Sequence, residues 1–287
     1  MHSTTSTLAT FILPIARALR LQGVDPMALF EQADIDPAMV INADRRIPVS
    51  KMQVLWRLAE EATGDEAFGL HAAEQLQPAT LQGLGLAVLA SSTIYDVLKR
   101  LVRFSHVLST GLEITLAERE EFVDLELHAF MDEAPVPVSQ DFGIGVIVAL
   151  CRMTLGEYFS PLQIRCSRPA PADPDRFAAL LGSRIEYGCE QMRLTFVKSD
   201  IMDQLASGDP ELARVNDEQA ETYLASFTSV SASRTVVGKI IERLPDGPPS
   251  QKDIAAAMNV SNRTLQRKLR DEGTSFIDLL QDARLSL

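Results

Sequence analysis

Chemistry that a side chain could perform is concentrated near the end of the sequence, in "SQKDIAAAMNVSNRTLQRKLRDEGTSF", Ser250 to Phe276. Arg263, Gln266 and Arg267 recur at i, i+3 and i+4, the spacing that places side chains on one face of a helix. Arginine can form paired hydrogen bonds to guanine, and glutamine to adenine, along the major groove of DNA. Lys268 and Arg270 flank that face as cations able to neutralise phosphates. From Ser261 to Arg270 there are four basic side chains and no acid. A solvated basic helix gives the same count, so the charge alone decides nothing.

The elements that must hold this face are legible around it. Ser250 followed by Asp253 is an acidic form of the capping box and starts a helix. Ile254, Ala255 and Met258 share one side of that helix. The break at Asn259-Val260-Ser261 uses asparagine, a residue that tolerates left-handed backbone. Ser261 can cap a second helix, on which Leu265 and Leu269 repeat at i, i+4 and would pack against Ile254 and Met258. Two helices joined by a turn of three or four residues form a helix–turn–helix.

The rest of the 287-residue chain differs in charge. The formal net charge is −12, yet residues 1–229 carry 18 basic and 32 acidic side chains while residues 230–287 carry 9 and 7. An apolar content of 46 % with 23 % charged residues describes a globular chain. No uninterrupted apolar run reaches the roughly 18–20 residues that cross a bilayer, so no membrane partner is expected. The N-terminus lacks a basic region before its apolar stretch, and Arg17 and Arg20 continue a helical pattern. A folded first helix in a cytoplasmic protein is the expectation. Cys151, Cys166 and Cys189 are too few and too far apart for a disulfide framework or a zinc motif and read as buried thiols.

Helical periodicity runs through Leu8–Leu21, Pro26–Ala33, Val49–Ala62, Ala67–Leu76 and Ile94–Leu108, with breaks at Gly23, "INADRRIP", Gly64 and Gly83/Gly85. "LEITLAE" and "EFVDLELH" alternate across "REE" as a hairpin. A long apolar helix is expected from Pro137 to Tyr158, a strand in "LQIRCS", and a helix in "DPDRFAALLG" ending at Gly182. Two strands follow in "RIEYGCEQMRLTFV", then an acidic helix in "DPELARVNDEQAETYLASF". The uncharged "SFTSVSAS", Ser226 to Ser233, reads as a linker.

Catalytic patterns are weak. "DFG" at Asp141–Gly143 lacks every other kinase signature, and "QGLGLAV" lacks the third glycine of a dinucleotide turn. His2, His71, His106 and His128 have no metal-ligating spacing, and no GxSxG elbow is present. No cofactor or metal is expected. Arg45 and Arg46 could meet an anionic effector, but an ion pair is the simpler expectation.

The C-terminal stretch, with its "S-x-R-T-L-Q-R-x-L" followed by "E-G-T-S-F", resembles the first helix–turn–helix of the AraC/XylS family of bacterial transcription regulators, over roughly residues 232–287. "RRIPVSKMQVLWRLAEEATGDEAFGL", "LVRF" and "RIEYGCEQMRLTF" resemble the family's arabinose-binding type of N-terminal sensor domain. The resemblance implies an α+β sensor and dimerisation domain, residues 1–228, and then an all-α DNA-binding domain, residues 229–287. It carries the recognition positions onto Arg263, Gln266 and Arg267, with Ser261 and Thr264 as nearby contacts. Partners so implied are double-stranded DNA and an unidentified small-molecule effector, with a homodimer as a further option. The family's second helix–turn–helix has no counterpart in the sequence, which reads as incomplete there. The alternative classes are an enzyme, or an oligomerisation module, with a helical appendage that does not bind DNA.

Overall fold

The protein is described by a computed structural model covering residues 5–41, 45–130, 134–228, 236, 239–240, 243, 247, 249–258, 260–271 and 274–285. It divides into two compact units, Thr4–Tyr223 and Leu224–Leu287.

In the first unit, β1 (Ser6–Leu8) leads through a 3-10 turn into α1 (Ile12–Leu21), followed by α2 (Pro26–Gln32). The helix expected from Leu8 therefore starts four residues later. Leu8 is spent on pairing β1 with β2 (Arg46–Pro48), where it lies opposite Arg46. Arg46 is half-buried in the small sheet. Its guanidinium donates to the carbonyls of Ser6 at 2.9 Å and Val107 at 2.8 Å, tying the small sheet together. Arg45 is exposed.

α3 (Val49–Thr63) and α4 (Phe68–Glu74) come next. The helix break expected at Gly83/Gly85 falls one residue earlier, at Gln82 with φ 58°, so that Gly83 opens α5 (Gly83–Leu89) and Gly85 lies inside it. Their smallness serves contact instead: a Cβ on Gly85 would lie 1.9 Å from the Pro78 carbonyl oxygen. The periodic stretch 94–108 is divided at Phe104 into α6 (Ile94–Arg103) and α7 (Ser105–Leu108).

The hairpin forms as expected, as β3 (Leu112–Glu118) and β4 (Phe122–Ala129). α8 (Pro137–Leu155) stops three residues short of Tyr158, because Gly156 leaves the helix at φ 119°. By length and hydropathy α8 could cross a bilayer, yet 61 % of its most apolar 18-residue window is buried inside this fold. It crosses α4 closely at glycines: a Cβ on Gly69 would lie 2.1 Å from the Val138 carbonyl oxygen. The unit continues through β5 (Gln163–Arg165), α9 (Pro174–Leu181), β6 (Arg184–Glu186), β7 (Met192–Val197) and α10 (Lys198–Met202). Gly182 ends α9 in the left-handed region, as its position predicts.

The five strands order β3-β4-β7-β5-β6, with only β5–β6 parallel. Leu125, Leu194 and Ile164 align across three of them and are fully buried, a row that fixes the register. α11 (Pro210–Thr228) carries the acidic amphipathic segment and is held to α6 by a two-pronged Arg100–Asp217 pair at 2.9 and 3.0 Å. Ser226–Thr228, expected in the linker, form its last turn. The remainder of that linker lies outside the described residues. Cys151 and Cys166 are buried, their thiols pushed up to about 12 by burial, whereas Cys189 is half-buried.

In the second unit, α12 (Gln251–Ala257), α13 (Asn262–Asp271) and α14 (Phe276–Leu285) enclose one small core. Val236, Ile240, Ile254, Leu265, Leu269 and Phe276 form its centre, and Met258 packs against it.

Candidate functional site

The helix pair is built from local rules. Ser250 and Asp253 form a reciprocal capping box at the start of α12. The turn closes when the Val260 amide donates to the Ala255 carbonyl at 3.0 Å; Asn259 lies outside the described residues. Ser261 then caps α13, its hydroxyl oxygen accepting from the Thr264 amide at 3.1 Å and lying 2.8 Å from the Thr264 hydroxyl. Both hydroxyls therefore stand at a helix N-terminus, where backbone N–H groups and the helix dipole favour an anion.

Leu265 and Leu269 are turned inward, at 0 % and 1 % exposure. That orientation forces the opposite side outward. Arg263, Gln266, Arg267 and Arg270 are all exposed, and Thr264 is intermediate. The backbone of Lys268 lies within α13, and its side chain is outside the described residues. Thus three exposed side chains with base-reading chemistry share one face, with a cation one turn beyond.

A second feature, in the first unit, was missed by sequence reasoning. A cavity of about 170 Å³ lies between α3, α8 and the sheet. α3 contributes Val49, Met52, Gln53 and Trp56, spaced i, i+3, i+4, i+7. α8 contributes Ser139, Phe142, Gly143 and Val146 at the same spacing. The floor is a cross-strand row, Ile114–Leu127–Met192, aligned by the register of β3, β4 and β7. Aromatic rings close one side: Phe142 lies 4.9 Å from Trp56 and 5.3 Å from Phe11, centroid to centroid.

Polar groups in the wall are few and mostly engaged. Gln53 Oε1 accepts from the Val136 amide at 2.7 Å, and Gln53 Nε2 donates to Ser139 Oγ at 3.3 Å. The Gln140 side chain donates to the Pro135 carbonyl at 3.0 Å and accepts from the Ser167 hydroxyl at 2.8 Å. Thr7 donates to the Leu108 carbonyl at 2.8 Å. Among the described residues lining the cavity none is charged.

The "DFG" triplet set aside above straddles this wall. Phe142 and Gly143 face the cavity, while Asp141 points elsewhere and pairs with Arg168. Burial pushes the Asp141 carboxyl up to about 7 against the pull of Arg168. Among the described residues no cluster of His, Cys, Asp and Glu could hold a metal ion.

A ligand-sized cavity in one unit and an exposed basic helix in a capped helix pair in the other are the parts of a sensor-type transcription regulator. Residues 23–205 match the family described as the arabinose-binding domain of AraC transcription regulator, N-terminal, and the chain belongs to this family. It is 23 % identical to the ornithine utilization regulator of Pseudomonas aeruginosa, over 96 % of this chain and 84 % of that protein. It is 24 % identical to the HTH-type transcriptional regulator VirS of Mycobacterium tuberculosis, over 93 % and 79 % respectively. The crystal structure of the transcriptional regulator CdpR from Pseudomonas aeruginosa shares the fold, with a TM-score of 0.54 at 16 % identity, over 96 % of this chain and 83 % of that one.

Proposed function

We propose that the chain is a ligand-responsive transcription regulator that acts in the bacterial cytoplasm. Residues 229–287 bind operator DNA, and residues 1–228 sense a small-molecule effector in the cavity between α3, α8 and the sheet. Arg263, Gln266 and Arg267 read base edges, Ser261 and Thr264 contact the backbone or an adjacent base, and Lys268 and Arg270 neutralise phosphates. The observation that carries this reading is the forced outward orientation of Arg263, Gln266 and Arg267, set by the burial of Leu265 and Leu269 behind them. The effector acts by binding one arrangement of the protein better than another, shifting the population able to occupy DNA.

The test is selection of preferred duplexes from a random pool by the full chain, followed by affinity measurements at one fixed salt concentration. Arg267→Ala is expected to cost about 1–3 kcal/mol on the selected site and to relax preference at one or two base pairs. Lys268→Ala should weaken all sequences about equally and flatten the salt dependence. An Arg267→Ala variant that keeps its full sequence preference contradicts the assignment.

A further inference from the structure

We propose that the cavity takes an uncharged, mostly apolar molecule about the size of one substituted ring, held by one or two hydrogen bonds from side-chain amides of its wall, and that it rejects sugars and free amino acids. The inference rests on the reading of this cavity as the effector site and specifies its ligand.

Size comes first. A cavity of about 170 Å³ is close to the roughly 150 Å³ that accommodates benzene in an engineered protein core. Lining chemistry comes next. Phe11, Met52, Trp56, Ile114, Leu127 and Phe142 are each less than 8 % exposed and supply aromatic and aliphatic contact on opposing sides. With no charged lining residue among those described, a carboxylate or ammonium would enter without a counter-ion, which burial strongly disfavours.

Polar capacity is the sharpest constraint. A pentose carries a hydroxyl on nearly every carbon, and each buried hydroxyl needs a partner. Here the Thr7 hydroxyl, Gln140 Oε1 and Gln53 Oε1 already serve the protein itself. An amide nitrogen offers two N–H donors, and Gln53 Nε2 spends one on Ser139. The other is available for an acceptor on a ligand, as is the second N–H of Gln140 Nε2, whose first goes to the Pro135 carbonyl. The family's description names arabinose, but this wall offers fewer polar partners than the hydroxyls of a sugar need.

The experiment uses the full chain and five probes: acetophenone, with one ring and one acceptor; ethylbenzene, with no acceptor; benzoate; L-arabinose; and L-ornithine. Trp56 is the single tryptophan and lines the cavity, so its emission reports occupancy, with calorimetry as an independent check. Acetophenone should bind saturably, and ethylbenzene several-fold more weakly. Benzoate, arabinose and ornithine should bind at least about tenfold more weakly than acetophenone. Gly143→Leu provides the location test: a Cβ at Gly143 meets nothing within 4 Å, and Gly143 lines the cavity, so a leucine side chain there takes up cavity space. This variant should melt cooperatively, at or above the wild-type temperature, and lose acetophenone binding.

Tighter binding of arabinose, ornithine or benzoate than of acetophenone overturns the ligand class. So does the failure of both uncharged ring compounds to bind. Unchanged acetophenone binding in a folded Gly143→Leu protein overturns the site. A saturating probe that binds here yet leaves DNA affinity unaltered counts against the regulatory reading of the cavity, and leaves the ligand class standing.

Discussion

Arg168→Met should destabilise the first unit more at pH 8 than at pH 5, by about 1 kcal/mol. Arg168 is 3 % exposed and joins four parts of the fold. Its guanidinium pairs with Asp141 of α8, and with Glu66 just before α4 at 2.9 Å. It also donates to the Pro169 carbonyl at 3.1 Å and lies 4.9 Å from the Phe177 ring of α9. Methionine fills most of the same volume and removes the charge. Asp141 is itself 3 % exposed, and burial, with help from the charges of Glu60 and Glu66, outweighs Arg168 and raises its carboxyl to about 7 from 3.8. The folded state therefore retains, between pH 3.8 and about 7, a proton that the unfolded chain has released. Stability from this group is complete below pH 3.8 and is lost as pH rises through about 7. That interval corresponds to an order of 4 kcal/mol in the wild type.

Without Arg168 the carboxyl holds its proton to still higher pH, and forcing it to ionise leaves a buried charge without its cation. Because the variant keeps that proton at pH 8, about one unit above the point where the wild type releases it, the pH-dependent part of the cost is at most about 1.4 kcal/mol, and the expected cost of Arg168→Met at pH 8 is about 2–3.5 kcal/mol. At pH 5, where Asp141 is neutral in both proteins, the cost falls to about 1–2 kcal/mol, set by lost hydrogen bonds and ring contact. Urea unfolding of the full chain, followed by Trp56 emission, measures the first unit alone, since Trp56 is the single tryptophan and belongs to that unit. The double variant Arg168→Met/Asp141→Asn should remove the pH dependence of the difference. Equal costs at pH 5 and pH 8, or a cost below about 1 kcal/mol at pH 8, would refute the argument that Asp141 ionises inside this pocket.

Two glycines should respond in opposite directions to alanine, as read by the same urea transition. Gly143→Ala is expected to stabilise by about 0.5–1 kcal/mol, because it lies mid-helix with open space at its Cβ. Gly85→Ala should cost more than about 2 kcal/mol, because the Pro78 carbonyl oxygen would be 1.9 Å from the new carbon. Leu265→Ala, at a fully buried position, should cost the second unit about 2–5 kcal/mol. It should abolish DNA binding while leaving the Trp56 transition at the same urea concentration.

What could be read from the sequence divides along the range of the interactions involved. The second unit was legible because its determinants are local: Ser250 with Asp253, Ser261 with Thr264, and Leu265 with Leu269 all act within four residues. Burial of the two leucines fixes the face of Arg263, Gln266 and Arg267 without reference to anything distant. β1 and β2 were illegible for the opposite reason. Each is three residues long, and Leu8 continues the apolar spacing of α1, so only pairing across the chain shows that it belongs to a strand. The cavity was the hardest to foresee. The stripe Val49–Met52–Gln53–Trp56 has the spacing of any core-facing helix, and so does Ser139–Phe142–Gly143–Val146. A core and a ligand cavity present the same pattern along each helix and differ only in the volume left between them. That volume depends on the placement of α3, α8 and three strands together, so no single segment encodes it. The one local trace is Gly143, a helix-interior glycine in a buried stretch with nothing within 4 Å of where its side chain would begin. Close packing explains Gly69 and Gly145, which face backbone or side-chain atoms nearer than 3 Å. It does not explain Gly143, whose missing side chain leaves open space on the cavity wall.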